Sequence, residues 1–311
     1  MRMIIGAAFA GLLSSFAFIA IFSGTPQGFL LGITSPMPLF YTAFTSGVLG
    51  TSIAAGIGFL LLALQTPAHI SGGGYFVGLC LAPLFVAWWL ERANGFVTAR
   101  SISGKVLGDM LSIIAVAGSL IVALVLLTLD RALAVHGGLV AVGQQFLVAV
   151  IDEFAAGSKM KSSDVALFKD DLLKRGQWLF SDIGARWLLF MTFAAGIAAR
   201  TAKRSGKFGG ANMRALSLPQ WFAIPLLGSV LLSLAGGATG FVMSVIAMTL
   251  GAAAALHGMS VVHAMSRGLR LRPLILGSIY AIWMVYFPAG ILLALLGVTD
   301  SRMNLRSAGP S

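Results

Sequence analysis

Charge is scarce in this sequence. Only 10% of its 311 residues are charged and 58% are hydrophobic, whereas soluble domains carry about 25% charged residues. Apolar runs of about 20 residues, the length that crosses a hydrocarbon core of about 30 Å, recur along the whole chain. We therefore expect one integral membrane domain over residues 1–311, an all-α polytopic bundle of about 8–9 spans.

Cysteine and catalytic motifs are also lacking. The single cysteine, Cys80, lies inside an apolar run, which excludes a disulfide framework and a Cys-rich metal site. The chain contains no GxxxxGK phosphate loop, no HExxH and no GxSxG elbow. His257 and His263 are about 600° apart around a helix, so they do not share a face. We expect two separate structural or interfacial histidines, and no enzymatic activity, cofactor or metal.

Basic residues outnumber acidic ones, 21 to 10, and give a net charge of +11. They lie in short loops between apolar runs, without the interleaved aromatics of a nucleic-acid surface, so we expect no nucleic-acid partner. They indicate topology instead, because cytoplasmic loops of membrane proteins are rich in Lys and Arg. The basic markers are Arg204 after one span and Arg267, Arg270 and Arg272 at an elbow between two late spans. One acidic residue, Asp300, marks the tail of the last helix.

This charge pattern predicts a multi-pass membrane protein with its N-terminus inside and its C-terminus outside. The predicted spans are residues 3–22, 28–50, 51–64, 70–90, 106–129, 183–199, 218–235, 238–263 and 273–296, with a tight turn at Gly50 and a possible kink at Pro288. Residues 130–182 form the one sizeable extramembrane loop. In this loop we predict an amphipathic helix behind a Ser162/Ser163 cap with Asp164 in its first turn, carrying Val165, Phe168, Leu172 and Leu179 at helical spacing. Residues 138–154 could form a second, more apolar helix.

Five residues are candidates for ligand binding. Pro36 and Pro38 remove backbone donors and predict a break in the second span, of the kind that lines substrate cavities in transporters. The alternative is a short lead-in segment on the outer surface. Asp109 lies inside a span, where a carboxylate faces a partner or a cavity; an ion pair with Lys105 would explain it equally. Tyr41 and Tyr280 could hydrogen-bond a ligand or sit at the membrane interface.

The first helix carries small residues that allow close helix approach. They are Gly6, Ala7, Ala10, Gly11 and Ser14. This face could dock a membrane-protein partner, or it could serve internal packing.

Seven short motifs give the chain a family resemblance. They are residues 35–39 (Ser-Pro-Met-Pro-Leu), 194–197 (Ala-Ala-Gly-Ile), 218–221 (Leu-Pro-Gln-Trp), 257–264 (His-Gly-Met-Ser-Val-Val-His-Ala), 272–280 (Arg-Pro-Leu-Ile-Leu-Gly-Ser-Ile-Tyr), 295–300 (Leu-Leu-Gly-Val-Thr-Asp) and 304–306 (Asn-Leu-Arg). In this order the sequence resembles the YybS-like family of uncharacterised bacterial membrane proteins, in its alphaproteobacterial branch. His257 departs from the pattern, since the resemblance implies Gln there, which argues against an essential role for this position.

The resemblance implies a distant similarity to the substrate-binding membrane subunits of energy-coupling-factor transporters and to MreD-type rod-shape proteins. Two functions follow as hypotheses. One is a small-molecule-binding or transport subunit of unknown ligand, which the predicted helix break favours. The other is a non-transporting scaffold in an envelope or cell-division assembly, which the scarcity of charge inside the spans favours.

Overall fold

The computed structural model describes residues 1–23, 25–65, 73–94, 101–157, 163, 165–167, 169–170, 180–285 and 289–308. Within these ranges the regular secondary structure is helical, apart from an isolated bridge between Ile102 and Ala211. The chain forms two compact units. The first is Met1–Met110 with Leu189–Ser217, and the second is Leu111–Leu188 with Leu218–Ser311.

The helices are α1 (Arg2–Ala20), α2 (Pro26–Thr34), α3 (Pro36–Gln65), α4 (Leu81–Asn94), α5 (Gly104–Ala132), α6 (Gly138–Gly157), α7 (Ile183–Arg204), α8 (Ala223–Ser233), α9 (Gly237–Met265), α10 (Arg272–Val285) and α11 (Gly290–Met303). A π-helical turn, Phe76–Cys80, leads into α4, and a 3₁₀ turn, Leu305–Ala308, follows α11.

Among the described residues, six helical segments are long and apolar enough to cross a membrane. They are Met3–Ser23, Pro26–Leu64, Gly73–Ala93, Gly104–Ala132, Ile183–Arg204 and Gly237–Met265. These segments make the chain a polytopic membrane protein with an all-helical fold, as predicted.

The predicted spans differ from these segments at three places. The predicted span over residues 218–235 is a shorter apolar helix, Gln220–Ser233. The predicted last span is divided into α10 and α11, and its predicted kink at Pro288 lies outside the described residues. The predicted spans 28–50 and 51–64 become α2 and α3, which meet at Ser35 because Pro36 has no N–H to continue the helix.

The tight turn predicted at Gly50 is wrong. The helix α3 continues through Gly50, and its backbone departs from helical geometry at Gly47 instead, with φ 65° and ψ −159°. This conformation is open to glycine but costly for other residues. The side chain of Glu91 on α4 accepts a 2.7 Å hydrogen bond from the Val48 N–H, which supplies a partner for a donor that the departure leaves free.

The structure describes part of the predicted extramembrane loop. The helix α6 confirms the prediction for residues 138–154, and the Asp130 carboxylate accepts a 2.9 Å hydrogen bond from the Leu139 N–H at its start. Lys169 pairs with Asp152 near the other end of α6. In the predicted amphipathic helix, Ser162, Asp164, Phe168, Leu172 and Leu179 lie outside the described residues.

In the first unit, α1 packs on α3 through its small residues. Ala7, Ala10 and Ser14 are buried, and a Cβ added to Gly11 would collide with the carbonyl oxygen of Ala54 on α3. Gly6 is exposed, with open space around it. The small-residue face therefore serves internal packing in this unit.

A buried tyrosine ties the same two helices to the start of the next span. Tyr75 is 0% exposed. Its hydroxyl lies 2.8 Å from the Ser14 hydroxyl on α1, and its ring packs edge-on against Phe18. The buried Cys80 follows one turn later, which confirms its interpretation as a small core residue.

In the second unit, α9 and α11 approach each other closely and run antiparallel. A Cβ on Gly258 would collide with the Leu293 carbonyl, and a Cβ on Gly297 would collide with the Ala254 carbonyl. Moving back four residues on α9 thus moves forward four on α11. Ala255, Met259 and Leu293 form an apolar cluster at this contact, to which α10 adds Ile279 and Trp283.

The contact between α1 and α3 predicts opposite effects at two glycines of the same helix. We expect Gly11→Ala to destabilise the protein by about 1–3 kcal/mol, because the methyl group overpacks a backbone contact. Gly6→Ala is the matched control, and it should be neutral or stabilising because alanine favours helix and has space there. Thermal unfolding in detergent measures both, and equal stability of the two variants would contradict this packing.

Candidate functional site

The candidate site begins with a histidine in the middle of an apolar helix. His257 lies on α9 and is 0% exposed. Gly258 and Gly297 bring the backbones of α9 and α11 together beside it. As a result, His257 Nε2 lies 3.0 Å from Oδ2 of Asp300, whose side chain is 1% exposed.

The third member of the site comes from the turn that follows α11. Asn304 has φ 47° and ψ 53°, a left-handed conformation that ends the helix, and its N–H donates to the Asp300 carbonyl oxygen at 2.9 Å. The chain then folds back as the Leu305–Ala308 turn. Arg306 thereby reaches Asp300 Oδ2 with Nε at 3.0 Å and Nη2 at 2.7 Å.

Arg306 also contacts α9. Its Nη2 lies 2.9 Å from His257 Nε2, and its Nη1 lies 3.5 Å from the Ser260 hydroxyl. We call His257, Asp300 and Arg306 the buried triad. Its members come from α9, from α11 and from the turn that follows α11, so the triad connects three parts of the second unit.

The charges of the triad balance while His257 is neutral. Asp300 contributes one negative charge and Arg306 one positive charge, and the Arg306 side chain is only 15% exposed. Charges taken out of water are costly unless they are paired and hydrogen-bonded. The two hydrogen bonds from the guanidinium to one carboxylate oxygen meet this requirement.

The hydrogen bonding of His257 and Asp300 is incomplete. Asp300 Oδ1 and His257 Nδ1 are buried without a hydrogen-bond partner in the part of the chain that the structure describes. Buried polar atoms without partners are rare in native proteins and mark sites that bind something or change state. The triad therefore has both an acceptor and a ring nitrogen available for a further interaction.

A second polar pair lies on α9 and α10. His263 Nε2 is 2.9 Å from the hydroxyl of Tyr280, whose side chain is 47% exposed. His257 and His263 thus belong to separate contacts. Among the described residues, no group of three His, Cys, Asp or Glu side chains could hold a metal ion.

The predicted ligand-binding residues are distributed over both units. Pro36, which is buried, and the partly buried Pro38 and Tyr41 lie in the first turns of α3. The Tyr41 hydroxyl is 3.4 Å from the Ser205 hydroxyl, and Lys207 lies over the Tyr41 ring at 6.0 Å. Asp109 lies partly buried on α5 and forms no ion pair with Lys105 within the described ranges. Their roles as ligand contacts stay predictions.

The predicted topology markers differ in their surroundings. Arg204, Arg267 and Arg270 are exposed. Arg272 begins α10, and its Nε is buried with no hydrogen-bond partner in the described segments. Asp300 was expected at the tail of the last helix, and it lies in the last turn of α11. It is 3% exposed, because Arg306 folds back onto it.

None of the triad residues was predicted as a ligand-binding residue. His257 was expected to be structural or interfacial, Asp300 was expected as a topology marker, and no role was predicted for Arg306. The sequence does contain a signal for it. A single carboxylate inside an apolar run needs a cation, and Arg306 is six residues beyond Asp300. The histidine partner is not visible from spacing, since it depends on the register of α9 against α11.

We expect Asp300→Asn to lower the free energy of unfolding by about 3–5 kcal/mol, because it leaves the guanidinium of Arg306 buried without a counter-charge. The double variant Asp300→Asn/Arg306→Gln should lose less than the sum of the single losses, since the unpaired charge is gone. The matched control is Asp182→Asn, which breaks a pair in which the Arg186 side chain is 70% exposed and the Asp182 side chain 13% exposed. It should cost less than Asp300→Asn, about 1 kcal/mol. Thermal unfolding in detergent measures all variants, and additive losses would contradict the pairing.

Comparisons with protein-family models, with curated proteins and with solved structures found no match to this chain.

Proposed function

We propose that this membrane protein is a small-molecule-binding or transport protein of the bacterial inner membrane, and that the buried triad is part of its working site. The observation that carries this proposal is the burial of an ionised pair, Asp300 and Arg306, against His257 at 0% exposure. Ionisable side chains at membrane depth are costly, and in membrane proteins they mark ion, proton and substrate pathways.

The triad also bears on the scaffold hypothesis. That hypothesis drew its support from the scarcity of charge inside the predicted spans. A purely packing role would be served equally well by apolar side chains, since replacing a buried ion pair with hydrophobic residues is often neutral or stabilising. The presence of three polar side chains at one buried helix contact supports a function that uses their charge.

The departure from helix at Gly47 adds independent support. Non-helical backbone at membrane depth is tolerated where protein or water satisfies its polar groups, and such breaks form binding sites in transporters. Here Glu91 provides one carboxylate at the break. We include Gly47 and Glu91 in the proposed working region of the first unit.

The finer topology belongs to the same proposal. We propose about 8–9 crossings, in which Gln220–Ser233 and the pair α10 and α11 supply those beyond the six long segments. The N-terminus would face the cytoplasm, and residues 130–182 would form an outer loop with amphipathic helices. Membership of the YybS-like family is likewise a proposal, which rests on the order of the sequence motifs.

A thermal-shift screen tests the proposed binding. We expect at least one compound in a panel of vitamins and nucleobases to stabilise the purified wild-type protein, by about 2.7 kcal/mol at a concentration of one hundred times its Kd. The double variant Asp300→Asn/Arg306→Gln should lose this shift, whereas Asp182→Asn should keep it. If no compound gives a shift and the protein co-purifies as a stoichiometric part of an envelope complex, the scaffold function replaces the one proposed.

The proposed orientation predicts opposite labelling at two serines. In intact cells, a membrane-impermeant thiol reagent should label Ser163→Cys, in the proposed outer loop, and should not label Ser205→Cys, after α7. Both serines are exposed, so the membrane is the expected cause of any difference. Both sites should react after the cells are opened. Labelling of Ser205→Cys alone in intact cells would reverse the orientation.

A further inference from the structure

We propose that the buried triad is a proton-binding site, in which a proton on His257 Nε2 displaces the guanidinium of Arg306 as the partner of Asp300. This inference rests on the proposed function for its physiological role, because the proton would be the ion coupled to binding or transport.

One nitrogen atom of the triad, His257 Nε2, faces two incompatible partners. His257 Nε2 lies 3.0 Å from Asp300 Oδ2 and 2.9 Å from Arg306 Nη2. A neutral Nε2 with a free electron pair can accept from the guanidinium, but it then opposes the carboxylate. A protonated Nε2 can donate to the carboxylate, but it then opposes the guanidinium. A proton on Nε2, in the neutral Nε2–H tautomer or in the imidazolium, therefore satisfies one contact and weakens the other, but only the imidazolium adds a charge to the site.

The site is small and closed to water at His257 and Asp300. The His257 side chain is 0% exposed and the Asp300 side chain 1% exposed, and the Gly258 and Gly297 contacts leave the backbones of α9 and α11 in direct touch beside them. A proton is the ligand that requires no cavity. It can reach the site along the Arg306 side chain, the one member of the triad that is in part exposed.

The net charge of the triad changes when His257 takes up a proton. The triad is neutral with a neutral imidazole, and it gains one positive charge when a proton from water binds Nε2. Two cations and one carboxylate in an apolar setting are unfavourable. The site returns to neutrality if Arg306 leaves, so that the imidazolium and Asp300 remain as the pair. One N–H bond forms, one ion pair breaks, and a second ion pair replaces it.

Arg306 is the member that can leave. His257 and Asp300 are fixed on packed helices, whereas Arg306 lies on the Leu305–Ala308 turn behind the left-handed Asn304. Its guanidinium is held by Asp300, by His257 and by a 3.5 Å contact with Ser260. An imidazolium at His257 weakens the first two of these contacts, because it takes Asp300 as its own partner and no longer accepts from the guanidinium.

The described residues of α9, α10 and α11 include few other charged or titratable groups, and α8, which packs on α9, has none. On α9, His263 is bonded to Tyr280 of α10. On α11, Arg302 is exposed, and on α10, Arg272 is half-buried at the first residue. The side chains that α10 packs against the neighbouring core are the apolar Ile279 and Trp283. The competition for Asp300 is thus between His257 and Arg306.

The resemblance described above implies glutamine at position 257. Glutamine can donate to Asp300 and accept from Arg306 at once through its amide, but its amide binds no proton near neutral pH. The proposed proton site would therefore be a property of this chain, and His257→Gln is the variant that removes the proton while keeping both hydrogen bonds.

A spin label on the terminal turn tests the exchange. With Cys80→Ala as background, a nitroxide is attached at Ala308→Cys, and its mobility is recorded by electron paramagnetic resonance in lipid nanodiscs from pH 8 to pH 5. We expect the mobile fraction to rise severalfold as the pH falls, because protonated His257 releases Arg306. A second label at Met303→Cys, on the exposed end of α11, should show no such change.

Three variants complete the test. With His257→Gln the turn should stay docked at every pH, with His263→Gln it should respond as in the wild type, and with Arg306→Gln it should be mobile throughout. A pH response that survives His257→Gln would assign the proton to Asp300 and overturn the proposal, as would a turn that stays docked in the wild type at pH 5. These mobilities need no ligand, so failure of the thermal-shift screen would contradict the proposed function without touching the proton site.

Discussion

The pairing of Asp300 with Arg306 is the interaction on which the second unit depends most. A carboxylate at 1% side-chain exposure requires a cation, and the guanidinium that supplies it comes from beyond the end of α11. The helix must therefore end where it does, and the chain must turn back at Asn304. The close approach of α9 and α11 at Gly258 and Gly297 is the other half of the same arrangement, because it brings His257 to the carboxylate. Side chains on either glycine would separate the helices and the charges together.

The same requirement is met at smaller scale in the first unit. A regular helix satisfies its own backbone, so only irregular backbone and buried polar side chains need partners from elsewhere. Tyr75 finds Ser14 across the α1 contact, and the Val48 N–H next to Gly47 finds Glu91 across the α4 contact. Each polar contact joins parts of the chain that are far apart in sequence. Such contacts fix the register of helices whose apolar surfaces alone would pack in several ways.

The sequence predicted the class of the protein and most of its long helices, because hydropathy and length are local properties. Residues 238–263 and 106–129, for example, were predicted nearly as they occur in α9 and α5. The small-residue face of α1 was also predicted, and its use against α3 was one of two alternatives. The turn at Gly50 was wrong by three residues, since two glycines in one apolar run do not say which of them takes the left-handed backbone. The partner found at Gly47 is Glu91, which lies 43 residues after Val48 and accepts from its N–H. The triad was beyond reach for the same reason. Asp300 and Arg306 lie 43 and 49 residues after His257. Only the register of two antiparallel helices brings His257 to them.

Asn304 gives these observations a last consequence. It is the one residue other than glycine with a positive φ in the described part of the chain, and it carries no charge. Asparagine tolerates this backbone, whereas a β-branched residue would resist it. A neutral residue outside the helices thus controls whether the charges between them balance. Variation at position 304 would alter the electrostatics of the bundle without adding or removing a single ionisable group, and a comparison of charged residues alone would overlook it.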